Sequence, residues 1–328
     1  MTARKWLLAA GFLLSATFLA AILWRMDWPV FVAEFRNLQY VWLGAALIFI
    51  VFGMALRALR WGLAAGMPMI AFPAFWNSAV IGIALNQIYP LRAGEVIRIF
   101  ALRKMASVPL GQAATSALID RLADALLLGV CAVAVVATHT GLPYAENLAV
   151  VTLIVAVAAL MTIILFGKGD HIWRRWSTRW GGRVPAKFAE RIQRFYAGAV
   201  QTADQIASPI RLGKILVLTA IVFVCDIAVF FTVIQSFGWT LPTIAPVTVL
   251  VFLAIGTSLP AAPGYAGVYQ LACVLALALF GVAESSAVAY SIVLQICVLV
   301  TIVPLAALAA AAHREELNAV RSELAKAG

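Results

Sequence analysis

Residues 86–98 read NQIYPLRAGEVIR and residues 257–270 read TSLPAAPGYAGVYQ, and these two stretches decide the fold. Each one interrupts an apolar region, residues 73–105 in the first case and residues 243–281 in the second. Proline removes a backbone donor from a helix, and glycine adopts conformations that other residues resist. Each region is therefore predicted to form a helix, a break near mid-membrane and a second helix that returns to its own side.

The composition excludes an ordinary soluble domain. Of the 328 residues, 64% are hydrophobic and only 12% are charged, whereas a soluble domain averages roughly half apolar and a quarter charged. We therefore expect an all-α polytopic membrane protein. The formal net charge of +10 does not indicate nucleic acid, because the basic residues lie between apolar segments, where positive charge orients a membrane protein.

Six segments are apolar enough to cross a bilayer, which takes about 20 residues. They are residues 6–24, 41–66, 113–137, 148–167, 215–237 and 286–312. The first follows Arg4 and Lys5 and resembles a signal peptide. We expect it to be retained as a span, because it is long enough and lacks a small-residue cleavage site.

The distribution of Lys and Arg predicts that both chain ends lie in the cytoplasm of a bacterial-type inner membrane. Arg57, Arg60 and the basic segment 168–214 then share one side with Arg103 and Lys104. This arrangement requires regions 73–105 and 243–281 to be re-entrant rather than full spans. Residues 168–214 carry aromatic and basic stripes and are predicted to form interfacial helices on anionic lipid.

The order of elements predicts one membrane domain, 1–328, built from two inverted repeats. Residues 1–137 contain the first re-entrant pair and residues 148–312 contain the second. The breaks align weakly, since Pro90-x-x-x-Gly94 matches Pro260-x-x-x-Gly264. Inverted repeats with broken helices are typical of transporters.

No motif indicates a cofactor, a metal centre or a familiar enzyme. The sequence contains no Walker A, GxGxxG, GxSxG or HExxH pattern. All four cysteines lie in apolar runs without CxxC spacing, which favours packing over disulfides or metal ligation.

Six charged residues fall around the first break and the start of the third predicted full span: Arg92, Glu95, Arg98, Asp120, Arg121 and Asp124. Each charge would cost roughly 2.5–3.5 kcal/mol at the centre of a lipid-exposed helix, so the group must face protein or water. Two interpretations stay open, namely a structural ion-pair lock and a cavity for a charged lipid headgroup.

The formal charges of these six residues sum to zero, so a neutral cluster attracts phosphate weakly. Protonation of Glu95, Asp120 or Asp124 would free an arginine for phosphate and couple proton binding to anion binding. Asn86, one turn before Pro90, either caps exposed carbonyls or touches the ligand. Asp226 neutralises an arginine across the bundle, stays protonated against the backbone or takes part in ligand binding.

The second break is uncharged but polar, and its candidate site residues are Ser258, Pro260, Pro263, Gly264, Tyr265, Tyr269 and Gln270. Helix N-termini at a break carry partial positive charge and suit anions. The alternative is a packed kink. Gln270 and Gln295 are expected to make interhelical hydrogen bonds.

The pattern around these motifs resembles the flippase-like membrane domain of lysylphosphatidylglycerol synthases, over nearly the whole chain. The motifs are Asn86-x-x-x-Pro90-x-Arg92-x-Gly94-Glu95-x-x-Arg98, Asp120-Arg121-x-x-Asp124, Pro260-x-x-Pro263-Gly264-x-x-Gly267 and the segment 57–61. The resemblance implies translocation of lipid between leaflets, with the charged cluster lining the headgroup path. The family favours Glu at Asp120, Gly at Tyr265, Glu at Gln270 and Arg at Gln295, and the soluble aminoacyl-transferring domain is absent from this sequence.

The expected function is therefore a flippase or transporter of an anionic phospholipid or a glycolipid, not an enzyme, with membrane lipids as partners. One alternative is an integral membrane transferase acting on a lipid-linked substrate. Another is a non-catalytic scaffold that recruits a lipid-modifying enzyme through residues 168–214. The oligomeric state has no signal in the sequence.

Overall fold

A computed structural model describes residues 3–89, 92–138, 150–151, 154–155, 157–158, 186–206, 208–258 and 261–327. Within those ranges the chain is helical and has no strand. The helices are α1 (Ala3–Arg25), α2 (Trp28–Arg36), α3 (Tyr40–Ala64), α4 (Phe72–Ile88), α5 (Ala93–Met105), α6 (Leu110–Thr138), α7 (Ala186–Ile206), α8 (Pro209–Ser236), α9 (Ala245–Gly256), α10 (Val268–Ala278), α11 (Glu284–Ala312) and α12 (Arg314–Ala327). Short 3₁₀ turns at Met69–Ala71 and Pro263–Tyr265 precede α4 and α10.

Five described helices are long and apolar enough to cross a membrane: Tyr40–Ala64, Met69–Ile88, Leu110–Thr138, Pro209–Ser236 and Glu284–Ala312. Four of them confirm predicted spans as helices. Met69–Ile88 begins one of the predicted re-entrant pairs, yet its 20 residues also reach the length of a span. The predicted span 148–167 lies largely outside the described residues, as does the part of the basic segment 168–214 that precedes Ala186.

The first predicted span, residues 6–24, lies within α1, and the chain bends sharply directly after it. The segments Ser15–Arg25 and Trp28–Arg36 meet at 89°, and together they pass as one broken span or a re-entrant turn. The Asp27 carboxylate caps α2 by accepting from the Val30 amide at 3.2 Å, and the Asp27 amide donates to Ser285 Oγ at 2.8 Å. This cap and the proline after Trp28 favour a helix directly after the predicted span.

Helices α4 and α5 form a tight hairpin, because two glycines let their backbones approach. A methyl group at Gly94 would collide with the Gly82 carbonyl and with Asn86, and one at Gly82 would lie 2.7 Å from Arg98 Cβ. Helices α9 and α10 make a second hairpin, where Gly256 packs against Ala272.

The two hairpins open at opposite ends of the bundle. At one end, Arg103 and Lys104 of α5 pair with Glu323 of α12, and Gln112 of α6 donates to the Ala65 carbonyl after α3. At the other end α3 begins where α8 stops, with the Gln39 amide 2.8 Å from the Ser236 carbonyl. Helix α9 starts from this second end and α10 returns to it, so the two hairpin tips point toward each other.

Candidate functional site

A cavity of about 580 Å³ lies where the two hairpin tips meet. Its polar lining comes from both halves of the chain: Arg57, Gln87, Arg92, Arg121, Asp124, Asp226, Thr257, Ser258 and Tyr269. Aliphatic and aromatic side chains such as Leu128, Phe223 and Leu250 complete the wall. The cavity is therefore amphipathic, and the first break, the second break and the middle of α6 all border it.

Arg60 is the buried centre of the charge network beside this cavity. Its side chain has no exposed surface, and it lies 2.7 Å from both an Asp120 and an Asp124 carboxylate oxygen. The Thr219 hydroxyl accepts a further hydrogen bond from Arg60 at 3.0 Å. A buried arginine requires such partners, since an unpaired charge in an apolar interior is strongly unfavourable.

Glu95 connects the first hairpin to α6. Arg121 donates to both carboxylate oxygens of Glu95, at 2.7 and 3.1 Å, in the bidentate geometry that favours arginine over lysine. Asn86 donates to the same carboxylate at 3.3 Å, while the amide oxygen of Asn86 is buried without a partner in the described residues. Arg121 also lies 3.4 Å from Asp124.

Arg98 links these two parts of the network. Its guanidinium lies 2.9 Å from Glu95 and 3.5 Å from Asp120, and it stacks over the Trp61 ring at 4.7 Å. The contact with Glu95 has ion-pair distance but poor hydrogen-bond alignment, and Arg98 Nη2 has no hydrogen-bond partner in the described part of the chain. The ring of Trp61 therefore replaces part of the polar solvation that burial removes.

Arg57 and Asp226 form a further pair at 2.5 Å across α3 and α8. This contact confirms that Asp226 neutralises an arginine across the bundle. Arg57 and Arg60, by contrast, were predicted to be orienting charges at the cytoplasmic end of α3. Arg57 lines the cavity and Arg60 is fully buried, because their carboxylate partners come from α6 and α8, which are distant in sequence.

Arg92 differs from the other cavity arginines. Its backbone is left-handed, with φ 52° and ψ 39°, a conformation that costs an L-residue about 1–2 kcal/mol. Its guanidinium donates to the Thr257 carbonyl at 2.8 and 3.1 Å, at the C-terminal end of α9. No described carboxylate lies within the 4.0 Å of an ion pair, so Arg92 alone of these arginines has only neutral partners.

The site is consequently not neutral. Five guanidiniums, those of Arg57, Arg60, Arg92, Arg98 and Arg121, face four carboxylates, those of Glu95, Asp120, Asp124 and Asp226. One positive charge remains, and it belongs to the arginine that has no acidic partner.

The second break is held by a chain of amides. Gln270 Oε1 accepts from the Gly267 amide at 2.7 Å, Gln270 Nε2 donates to Gln295 Oε1 at 3.1 Å, and Gln295 donates to the Gly264 carbonyl. Gln270 and Gln295 therefore make the expected interhelical hydrogen bond and lie behind the tip. Ser15 of α1 covers the same tip by accepting from the Ala262 amide at 2.9 Å.

Of the other predicted residues of the second break, some border the cavity and others pack against α4. Ser258 and Tyr269 border the cavity, whereas the turn Pro263–Tyr265 packs against α4. Tyr265 has a left-handed backbone at φ 55°, as Arg92 does in the first break. Pro260, like Pro90, lies outside the described residues.

A larger groove of about 720 Å³ runs between α3, α4 and α8, away from the charge network. Its lining is apolar apart from Lys214. By volume alone this groove would be the better candidate for the functional site. Of the two, however, only the smaller cavity is lined by charged side chains and by residues of both breaks. In the described ranges no group of three or more His, Cys, Asp or Glu side chains is arranged to hold a metal ion.

The long apolar helices and the charged interior define a multi-pass helical membrane protein. Residues 8–306 match the family model of the lysylphosphatidylglycerol synthase TM region. The chain belongs to this family, as its motifs suggested, and its membrane role is lipid-related. Comparison with curated proteins and with solved structures gives no match.

Proposed function

We propose that the protein is a lipid flippase or transporter that moves a headgroup through the cavity between the hairpin tips. The observation that carries the proposal is the meeting of both breaks and the charge network at one amphipathic cavity of about 580 Å³. Arginines on one wall suit an anionic headgroup. The apolar wall and the surrounding bilayer suit acyl chains.

The same proposal treats both hairpins as re-entrant, with N- and C-termini in the cytoplasm. Their openings at opposite ends of the bundle support an inverted repeat, residues 1–137 and 148–312. The end that holds Arg103 and Lys104 also holds the starts of α6 and α8, with Lys214 on α8. This concentration of positive charge supports a cytoplasmic location for that end in a bacterial-type inner membrane.

Proton coupling through Glu95, Asp120 and Asp124 is not needed to attract an anion, because the site already carries one unbalanced positive charge. Each of the three carboxylates contacts two arginines, so proton binding would have to break an ion pair. We therefore propose that lipid movement does not require a pH gradient.

The test is lipid movement in liposomes reconstituted with pure protein, measured as the accessibility of a labelled headgroup to a membrane-impermeant quencher. Wild-type protein should expose inner-leaflet phosphatidylglycerol, and Arg92→Ala should not. Arg36→Ala is the matched control, because Arg36 is an exposed arginine at the end of α2, outside the cavity. Equal rates for wild type and Arg92→Ala would remove Arg92 from the mechanism.

The same liposome assay distinguishes lipid transport from a transferase activity and from a scaffold role. Mass spectrometry of the lipids after the assay should find unchanged headgroups, whereas a converted headgroup would favour a membrane transferase. Movement that requires an added lipid-modifying enzyme would favour a scaffold.

A further inference from the structure

We infer that Arg92 is a latch between the two hairpin tips, and that a phosphodiester in the cavity opens it by replacing the Thr257 carbonyl. This inference rests on the proposed function and deepens it. It names the recognised group, a phosphate bearing one negative charge, and it states how recognition is transmitted to the helices.

The geometry of the latch matches phosphate recognition. Two N–H groups of Arg92, Nε and Nη2, converge on one Thr257 oxygen at 3.1 and 2.8 Å. The same fork binds two phosphate oxygens in bidentate fashion. The carbonyl at the end of α9 carries only partial negative charge, while a phosphodiester carries a full one. A phosphate in the cavity is therefore the stronger partner for the same donors.

The charge distribution makes Arg92 the arginine that responds. The other four arginines of the network each lie within ion-pair distance of at least one carboxylate. An anion that recruited one of them would have to compete with a formal negative charge. At Arg92 it competes with a neutral carbonyl, and the ligand then balances the one surplus positive charge of the site.

The connectivity turns this exchange into a conformational signal. In the described residues, the hydrogen bonds between the first tip and the second all begin at Arg92. Its backbone is left-handed, at φ 52°, a conformation that persists only where the surrounding structure stabilises it, and those bonds are part of that surrounding structure. Loss of the bonds to Thr257 frees the end of α9 from the start of α5, so ligand binding loosens both segments while the turn Pro263–Tyr265 remains packed against α4.

The experiment measures amide hydrogen exchange at residues 92–96 and 253–258 in nanodiscs of digalactosyl diacylglycerol, a phosphate-free bilayer lipid. Addition of phosphatidylglycerol should raise exchange in both segments by about fivefold or more, the low end of ordinary coupling between linked sites. Arg92→Gln should abolish this response. Arg92→Lys, which keeps the charge without the fork, should start with faster exchange and respond less.

Two further measurements identify the source of the phosphate and supply a control variant. Inorganic phosphate alone should leave both segments unchanged, and an equal response to it would overturn the assignment to a lipid. Arg36→Gln should respond as wild type does. Unchanged exchange in wild type, although phosphatidylglycerol is retained by the protein, overturns the latch.

The latch and the proposed function can fail separately. If liposome assays show Arg92-dependent lipid movement while the tips do not respond, the latch is wrong and transport stands. If the tips respond but wild-type protein moves no lipid, the transport proposal is wrong and the phosphate site stands.

Discussion

Arg60, although fully buried, contacts two carboxylates one helical turn apart, Asp120 and Asp124, at 2.7 Å each. The two acids share one face of α6 because their spacing is i,i+4. This arrangement fixes α3 against α6 immediately behind the cavity. It also leaves the Asp124 carboxylate in reach of Arg121, so the structural and the cavity-lining parts of the network share an acid.

Removing the Asp120 charge should destabilise the protein strongly. Asp120→Asn leaves Arg60 and Arg98 under-compensated in the interior, a loss of about 3–5 kcal/mol for a broken buried pair. The thermal unfolding midpoint in detergent measures the effect. Glu315→Gln, at an exposed position on α12, should change it little. A wild-type midpoint for Asp120→Asn would mean that the network does not stabilise the fold.

The α4–α5 hairpin depends on the missing side chain at Gly94. Gly94→Ala should lower stability by about 1–3 kcal/mol, the usual effect of overpacking, because the methyl group meets the Gly82 carbonyl. Gly44→Ala is the matched control in α3, since nothing lies within 4 Å of its added methyl group. The unfolding midpoint should therefore fall for Gly94→Ala but not for Gly44→Ala, and equal shifts would contradict the close crossing of α4 and α5.

The contact between α12 and α5 should weaken in acid. Hydrogen bonds from Arg103, and secondarily Lys104, lower the pKa of Glu323 below its ordinary value. The stabilisation is thus fully present above the unfolded pKa of about 4.3 and is lost as pH falls through the folded value. Its size should stay below about 1 kcal/mol, because the pair is solvent-exposed.

Amide exchange in α12 checks this prediction at neutral pH and near pH 3–4, after correction for the intrinsic pH dependence of exchange. Exchange should rise in acid for wild type, and Glu323→Gln should show the faster rate already at neutral pH. High salt should also raise amide exchange in α12, because it screens the ion pairs of Glu323. A rate for Glu323→Gln that equals the wild-type rate at neutral pH would contradict the proposed anchoring of α12.

Hydropathy and length were sufficient to place the long helices, since α3, α6, α8 and α11 each contain a long apolar window with few charged residues. They ended the first span at Trp24 and could not show that a second helix, α2, follows it at 89°, because the short segment Trp28–Arg36 is well below the length of a span. The interruptions of both hairpins were visible as proline and glycine positions. The apolar length of α4 fits both a full span and one arm of a re-entrant hairpin, because length does not determine how deep in the membrane a helix begins.

The charged cluster was predicted in part for a related physical reason. Charges inside an apolar helix are visible in a sequence, so the six residues around the first break were found. Arg57 and Arg60 lie near the end of a span, where hydropathy gives the same signal for an orienting charge and a buried one. Thr257 was missed as a partner of Arg92 because it contributes a backbone carbonyl, which every residue has.

The most direct test of the transport cavity is to fill it without altering its charges. Ala254 lines the cavity on α9, while its neighbour Ile255 faces outward and is 41% exposed. In the liposome assay, Ala254→Phe should stop movement of phosphatidylglycerol and Ile255→Phe should retain the wild-type rate. Wild-type movement in a folded Ala254→Phe protein would show that lipid headgroups do not pass between the hairpin tips.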